Sequence, residues 1–366
     1  MLRQRDIPAL TGLRGVAAFW VVLFHMEWGS SIPIIEKGYL GVDVFFILSG
    51  FVLMHVYAGF ETTDFDYVRF IKARIARIYP LHIFALLLLA VLVICFPSFT
   101  EQNTQLNERW GPMPFVASLF LVQNWVYFLP TCWNVPAWSL SAEWFAYLVF
   151  PLFLKTTQWP RSTLVPLSLA ACSLLFFSTV LISRGIYDAS VTGTPGMLRM
   201  ACEFGAGCLL FRAVANGLIN LPGILEFTAL CLVLIGIVVP GAVYVSLPAF
   251  GLIILAANGN GAISRFLATR PVVFLGEISY SVYLLHWIII QFLDRLGPLN
   301  YLTRPLRDSA LTLLITGAGG LSYIPGAARP ARWAFSAVFW RKCRFRSNAS
   351  RPTGGSNSLP KPCSAA

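Results

Sequence analysis

The sequence predicts an all-α, polytopic membrane protein of about ten transmembrane helices, and two observations carry that prediction. Of 366 residues, 57% are hydrophobic and only 12% charged, about half the charged share of an ordinary soluble domain, and the mean hydropathy is +0.70. The apolar residues are also gathered into runs of about 17–22, long enough to cross a ~30 Å hydrocarbon core as helices rising 1.5 Å per residue.

In chain order the expected spans are 9–27, 38–58, 78–97, 138–155, 164–183, 197–215, 222–239, 242–258, 272–293 and 309–326. Arg3 and Arg5 before the first run resemble a signal peptide, but Arg14 interrupts it and another span follows at once, so the segment is expected to be retained. The connection bearing Arg69, Lys72, Arg74 and Arg77 is the most basic before the C-terminal tail. The positive-inside bias therefore assigns it, the N-terminus and Arg14 to the cytoplasm. A further apolar run, 113–129, closed by Gln123-Asn124-Trp125, decides the rest. If it crossed, Lys155, Arg212, Arg265, Arg270 and the tail would all lie outside; if it does not, all lie inside. The charge bias selects the second arrangement, in which 113–129 is a re-entrant or interfacial segment on the outer side and both termini are cytoplasmic.

The net charge of +11 does not mark a nucleic-acid binder. Eight of the 27 Lys and Arg and none of the 16 acids fall in 327–366, leaving 19 basic against 16 acidic residues before it. Residues 1–326 therefore read as the membrane-embedded domain and 327–366 as a basic tail, expected to be disordered beside anionic headgroups of the bilayer. The eight cysteines are scattered through apolar runs without a C-x-x-C, and the four histidines without H-x-x-H. Neither a disulfide framework nor a metal is expected.

The polar residues that remain inside spans carry the functional signal, because an ionisable group in hydrocarbon costs several kcal/mol. Arg14 and His25 are eleven residues apart, within ~20° of one helix face and ~16 Å along it. Asp43 enters the second span from the outside and Glu143 lies just inside the outer end of the fourth, near the expected level of His25. A histidine with a carboxylate is the minimal equipment of a general base; the alternative for Asp43 is a helix cap or a pair with Lys37. Arg74 and Arg77, three apart on one face, join Arg14 at the inner end, where arginines hold phosphate but also simply satisfy the topology rule. Tyr283 and His286 sit on neighbouring faces of a late span, with packing and tethering as the plainer alternative.

These residues fall in an ordered set of motifs: Leu13-Arg14-Gly15 with His25; Gly41-Val-Asp43-Val-Phe-Phe-Ile-Leu-Ser49-Gly50-Phe; Arg74-x-x-Arg77-Ile-Tyr-Pro80; Trp138-Ser-Leu-Ser141-Ala-Glu143; and Ile278-Ser279-Tyr280-Ser-Val-Tyr283-Leu-Leu-His286. Over residues 6 to about 292 the chain resembles the acyltransferase 3 family of integral membrane O-acyltransferases. It departs at the end, where Ser322-Tyr323 leads into Ile-Pro-Gly rather than the family's usual Glu-x-Pro. The resemblance implies transfer of an acyl group, usually acetyl, from cytoplasmic acyl-CoA as co-substrate, with no bound cofactor, to a hydroxyl of a cell-envelope or exported glycan at the bacterial inner membrane. In that mechanism Arg74 and Arg77 hold the coenzyme's phosphates and Arg14 lies near its diphosphate or pantetheine. His25, oriented by Glu143 or Asp43, takes the acceptor's proton, and Ser141 or Tyr283 stabilises the oxyanion. Trp138 and His286 join the substrate-binding set. A transporter or flippase for an anionic or glycan substrate is the alternative, since it also needs buried charge and many spans.

Overall fold

The computed structural model describes residues 7–26, 31–57, 65–96, 110–125, 133–155, 162–186, 191–217 and 261–294, with a few residues between 227 and 254. Among them the chain is helical, without strands. Among the described residues, five helices are long and apolar enough to cross a membrane: Pro33–Tyr57, Tyr67–Cys95, Ala137–Leu154, Leu164–Ser183 and Arg270–Phe292. The expected spans 222–239 and 242–258, apart from a few helical residues in each, and 309–326 and the tail lie outside the described residues.

Helix α1 (Pro8–Phe24) starts on a proline, where the missing N–H would have had no helical partner anyway. Helix α2 (Leu40–Tyr57) returns antiparallel to it, its first turn against Ala17 and Val21 and its buried face made of Phe46, Ile47, Phe51 and Met54. Helix α3 (Tyr67–Cys95) begins eleven residues before the expected span. Asp66 caps it by accepting from the Arg69 backbone N–H at 2.9 Å, so the basic stretch expected as a connection is instead its first three turns. Its C-terminal half exposes Phe84, Leu87, Val91 and Ile94 along one stripe, the face a membrane helix gives to lipid.

Helix α4 (Pro112–Leu119) occupies the start of the 113–129 run and is eight residues long, ~12 Å at helical rise and far short of a bilayer core. The chain then turns through Leu121, whose φ is +57°. Helices α5 (Ala137–Leu154), α6 (Leu164–Ser183) and α7 (Gly193–Ala215) match three expected spans to within four residues at each end. After a short helix α8 (Ala262–Leu267) comes α9 (Arg270–Asp294).

The pairing of α1 with α9 organises the site. Gly15 packs on Leu275 and Gly276, and a Cβ on Gly15 would fall 2.6 Å from the Leu275 carbonyl carbon. Small residues at a helix contact let backbones approach this closely. Further along the same seam Val22 and Met26 pack with Ile278 and Val282, and His25 meets His286. Contacts therefore advance along both helices in the same direction, so α1 and α9 run parallel.

Candidate active site

A cavity of about 390 Å³ opens between α1, α2, α3, α5 and α9. Five of the residues singled out in the sequence line it: Arg14, Arg74, Arg77, Glu143 and Tyr283. The Arg14 Nη2 donates to the Gly276 carbonyl at 2.9 Å, while its Nε is buried without a hydrogen-bond partner among the described residues. Arg74 stacks near the rings of Phe70 and Tyr147, at 5.5 and 5.8 Å, and its Nε is likewise buried and unpartnered. Two guanidiniums thus present donors that no described residue satisfies, an arrangement suited to an anion.

Glu143 belongs to this cavity rather than to His25. Its Oε1 accepts from the Ser49 hydroxyl at 2.6 Å and from the Tyr147 hydroxyl at 2.5 Å, the second one helical turn further along α5. Tyr283 also lines the cavity, with its hydroxyl 2.6 Å from Ser139 Oγ; Ser139 in turn donates to the Pro136 carbonyl at 3.0 Å. On the α9 side Tyr280 donates to the Ile78 carbonyl at 2.7 Å, tying α9 to α3 beside the arginines.

The histidines form a second cluster, about three turns along the seam. His286 is fully buried, with Nδ1 2.6 Å from the Tyr283 carbonyl and Nε2 3.4 Å from His25 Nδ1. His25 Nδ1 also lies 2.8 Å from the Val21 carbonyl. The rings are 5.0 Å apart, and Trp287 stands edge-on to His25 at 5.4 Å. The Trp287 indole N–H is buried without a partner among the described residues. Among the described residues the hydrogen-bonding partners of His25 are therefore a carbonyl and a second histidine, not the expected carboxylate. No group of three or more His, Cys, Asp or Glu there is arranged to hold a metal.

Asp43, Trp138 and Ser141 serve other contacts. Asp43 is fully buried and makes a double hydrogen-bonded ion pair with Arg199, through Nε at 3.3 Å and through Nη2. Arg199 also reaches Glu203 at 3.5 Å and the Tyr39 carbonyl at 3.1 Å. Trp138 lies over that guanidinium at 6.0 Å and against Phe46. Ser141 donates to the Leu121 carbonyl at 2.7 Å and accepts from the Asn124 N–H at 3.2 Å, so its hydroxyl clamps the turn after α4 to α5. Gln123 and Trp125 fasten the same turn to the Ala137 and Ser141 carbonyls. Arg199 and Glu203 are the functional charges that the sequence also signals, inside an apolar run and four apart on one face. Ser49, Tyr147 and Trp287 carried no such signal.

A family model described as an acyltransferase domain matches residues 7–327, most of the chain and every residue of the two clusters. The chain belongs to this acyltransferase family. As an acyltransferase it is an enzyme that transfers acyl groups, and with its apolar helices it is a multi-pass membrane protein. It is 31% identical over 331 residues to the acyltransferase MdmB of Streptomyces mycarofaciens, across 81% of this chain and 82% of that relative. It is 26% identical over 332 residues to the O-acetyltransferase OatA of Staphylococcus aureus, across 80% of this chain. The aligned region spans about half, 52%, of that relative's length. No solved structure matches.

Proposed function

We propose that this acyltransferase moves an acyl group, acetyl by default, from acyl-CoA on the cytoplasmic side to a hydroxyl of a cell-envelope or exported glycan. The observation that carries the reading is the spacing of two polar levels on the α1–α9 seam. Arg14, with Arg74 and Arg77, marks one level and the His25–His286 pair the other, ~16 Å apart by the eleven residues between Arg14 and His25. Guanidiniums with donors that no described residue satisfies suit the phosphates of a coenzyme A, and the cavity they line, joined to His286 through Tyr283, suits its pantetheine arm. The O-acetyltransferase named among the relatives supports acetyl and a hydroxyl acceptor.

In this mechanism His25 Nε2 takes the acceptor's proton as its oxygen attacks the thioester carbonyl. The tetrahedral oxyanion collapses, the C–S bond breaks, and the thiolate recovers the proton from His25. Ser141 and Tyr283, the oxyanion donors expected from sequence, already donate within the protein. The indole N–H of Trp287, beside His25 and without a partner among the described residues, takes that role.

The parallel run of α1 and α9 supports the topology as well. Two parallel spans need an odd number of crossings between them. The seven spans expected between 38 and 258 satisfy that, and an eighth through 113–129 would not. With the basic residues inside, this gives ten spans and two cytoplasmic termini.

The test is coenzyme A release by the purified protein in nanodiscs, supplied with acetyl-CoA and an envelope glycan extract. Glycan-dependent release that falls by about 10²–10⁴-fold in His25→Ala supports the reading. Full release in His25→Ala removes His25 as the base, and movement of glycan without thioester consumption replaces the enzyme with a flippase.

A further inference from the structure

We infer that His286 is the positioning partner of His25, a neutral imidazole standing where a catalytic carboxylate was expected. The inference rests on the reading of His25 as the general base and deepens it. Its ground is the pattern of acceptors around the two rings, which determines where each proton sits.

A carbonyl oxygen only accepts. The Tyr283 carbonyl lies 2.6 Å from His286 Nδ1, so His286 carries its proton on Nδ1 and leaves Nε2 with a lone pair. The Val21 carbonyl lies 2.8 Å from His25 Nδ1, so His25 also carries its proton on Nδ1 and keeps Nε2 as the basic atom. The ring-to-ring contact is then directional: the His25 Nδ1–H, already donating to the Val21 carbonyl, shares its proton with a second acceptor, His286 Nε2, 3.4 Å away. Each helix fixes its own histidine through a carbonyl three or four residues back, and the parallel seam sets the two rings together.

The consequence appears when His25 Nε2 gains the acceptor's proton. The imidazolium charge spreads over both ring nitrogens, and the Nδ1–H becomes a stronger donor to a fully buried acceptor that cannot be replaced by water. His286 Nε2 stabilises that cation and holds the ring's aim, the two tasks a carboxylate performs in a Ser-His-Asp triad. The 3.4 Å separation is long for a resting hydrogen bond, as ligand-free catalytic contacts often are, and it tightens as the charge develops. No proton leaves the pair in the net reaction: one enters at His25 Nε2 from the hydroxyl and departs to the thiolate. A neutral partner also spares the site a buried carboxylate, whose desolvation would need its own compensation.

Tyr283 couples this pair to the donor cavity. Its carbonyl accepts from His286 and its ring lies 6.0 Å from that imidazole, while its hydroxyl meets Ser139 in the cavity wall. One turn of α9 thus touches both the cavity and the base.

The test compares His286→Gln and His286→Leu in nanodiscs. Gln places a carbonyl oxygen near the Nε2 position and keeps an acceptor for the His25 Nδ1–H; Leu does not. The expected result is a kcat lowered about 10–100-fold in His286→Leu, with the acetyl-CoA KM unchanged, and most of the rate restored in His286→Gln. Equal losses in both variants, or wild-type kcat in His286→Leu while His25→Ala is inactive, overturn the role of His286 and leave His25 standing. Full turnover in His25→Ala instead removes the base on which the inference rests. A second readout does not depend on Leu being accommodated. The chain has four histidines, so ¹⁵N-histidine labelling gives a spectrum that His25→Ala and His286→Gln assign. Both rings are expected as Nδ1–H tautomers, with the His25 Nδ1 signal shifted in His286→Gln. An Nε2–H tautomer at either ring, or no shift, overturns the proposal.

Discussion

Arg199 is 1% exposed and holds two fully buried carboxylates, Asp43 and Glu203. Removing one member of such a cluster leaves uncompensated charge in a medium that solvates it poorly, at ~3–5 kcal/mol. Arg199→Met is therefore expected to lower the thermal midpoint in detergent sharply, and Asp43→Asn/Arg199→Met to recover part of the loss. A double variant no more stable than Arg199→Met would mean that the pair is not coupled. Trp287 makes the opposite kind of residue-scale prediction, with chemistry affected and stability spared. Its indole N–H bonds nothing among the described residues, so Trp287→Phe should keep the fold and reduce kcat by about 10²-fold. An unchanged kcat would exclude the indole as the oxyanion donor.

At the scale of elements, the α1–α9 seam is the part least tolerant of change. Gly276 sits where a Cβ would meet the Thr11 carbonyl carbon at 2.5 Å, and the Arg14 guanidinium is anchored to its carbonyl one atom away. Gly276→Val is expected to destabilise the protein by ~1–3 kcal/mol through overpacking. It should also cost turnover, because separating the helices moves both polar levels; a thermal midpoint and rate equal to wild type would show the approach to be unnecessary. The elements themselves were largely readable. Apolar runs marked α2, α5, α6 and α9 to within three residues, since hydropathy is a local property. The start of α3 was missed because its first turns are basic and amphipathic, and Asp66, rather than hydrophobicity, begins that helix.

For the whole molecule, the proposed division puts donor binding at the arginine-lined cavity and chemistry at the separate histidine pair. Arg74→Ala or Arg77→Ala should raise the acetyl-CoA KM by about 10–100-fold, the worth of one charged hydrogen bond at 1.5–3 kcal/mol, with kcat retained. Steady-state kinetics with varied donor decide it, and an unaltered KM would separate these arginines from the phosphates.

The membrane class, the positions of five spans and the shared stripe of Arg14 and His25 followed from sequence alone, because the cost of polar groups in hydrocarbon acts on each segment separately. Which polar groups meet did not follow. Glu143 and Asp43 were both assigned to His25 by depth, yet one bonds Ser49 and Tyr147 and the other bonds Arg199, 156 residues away. Lipid-facing and partner-facing surfaces are equally apolar, so composition along the chain carries no record of which helix lies beside which. The tertiary packing decided those partners, bringing α9 parallel to α1 through glycine contacts and placing a second histidine where a carboxylate had been expected.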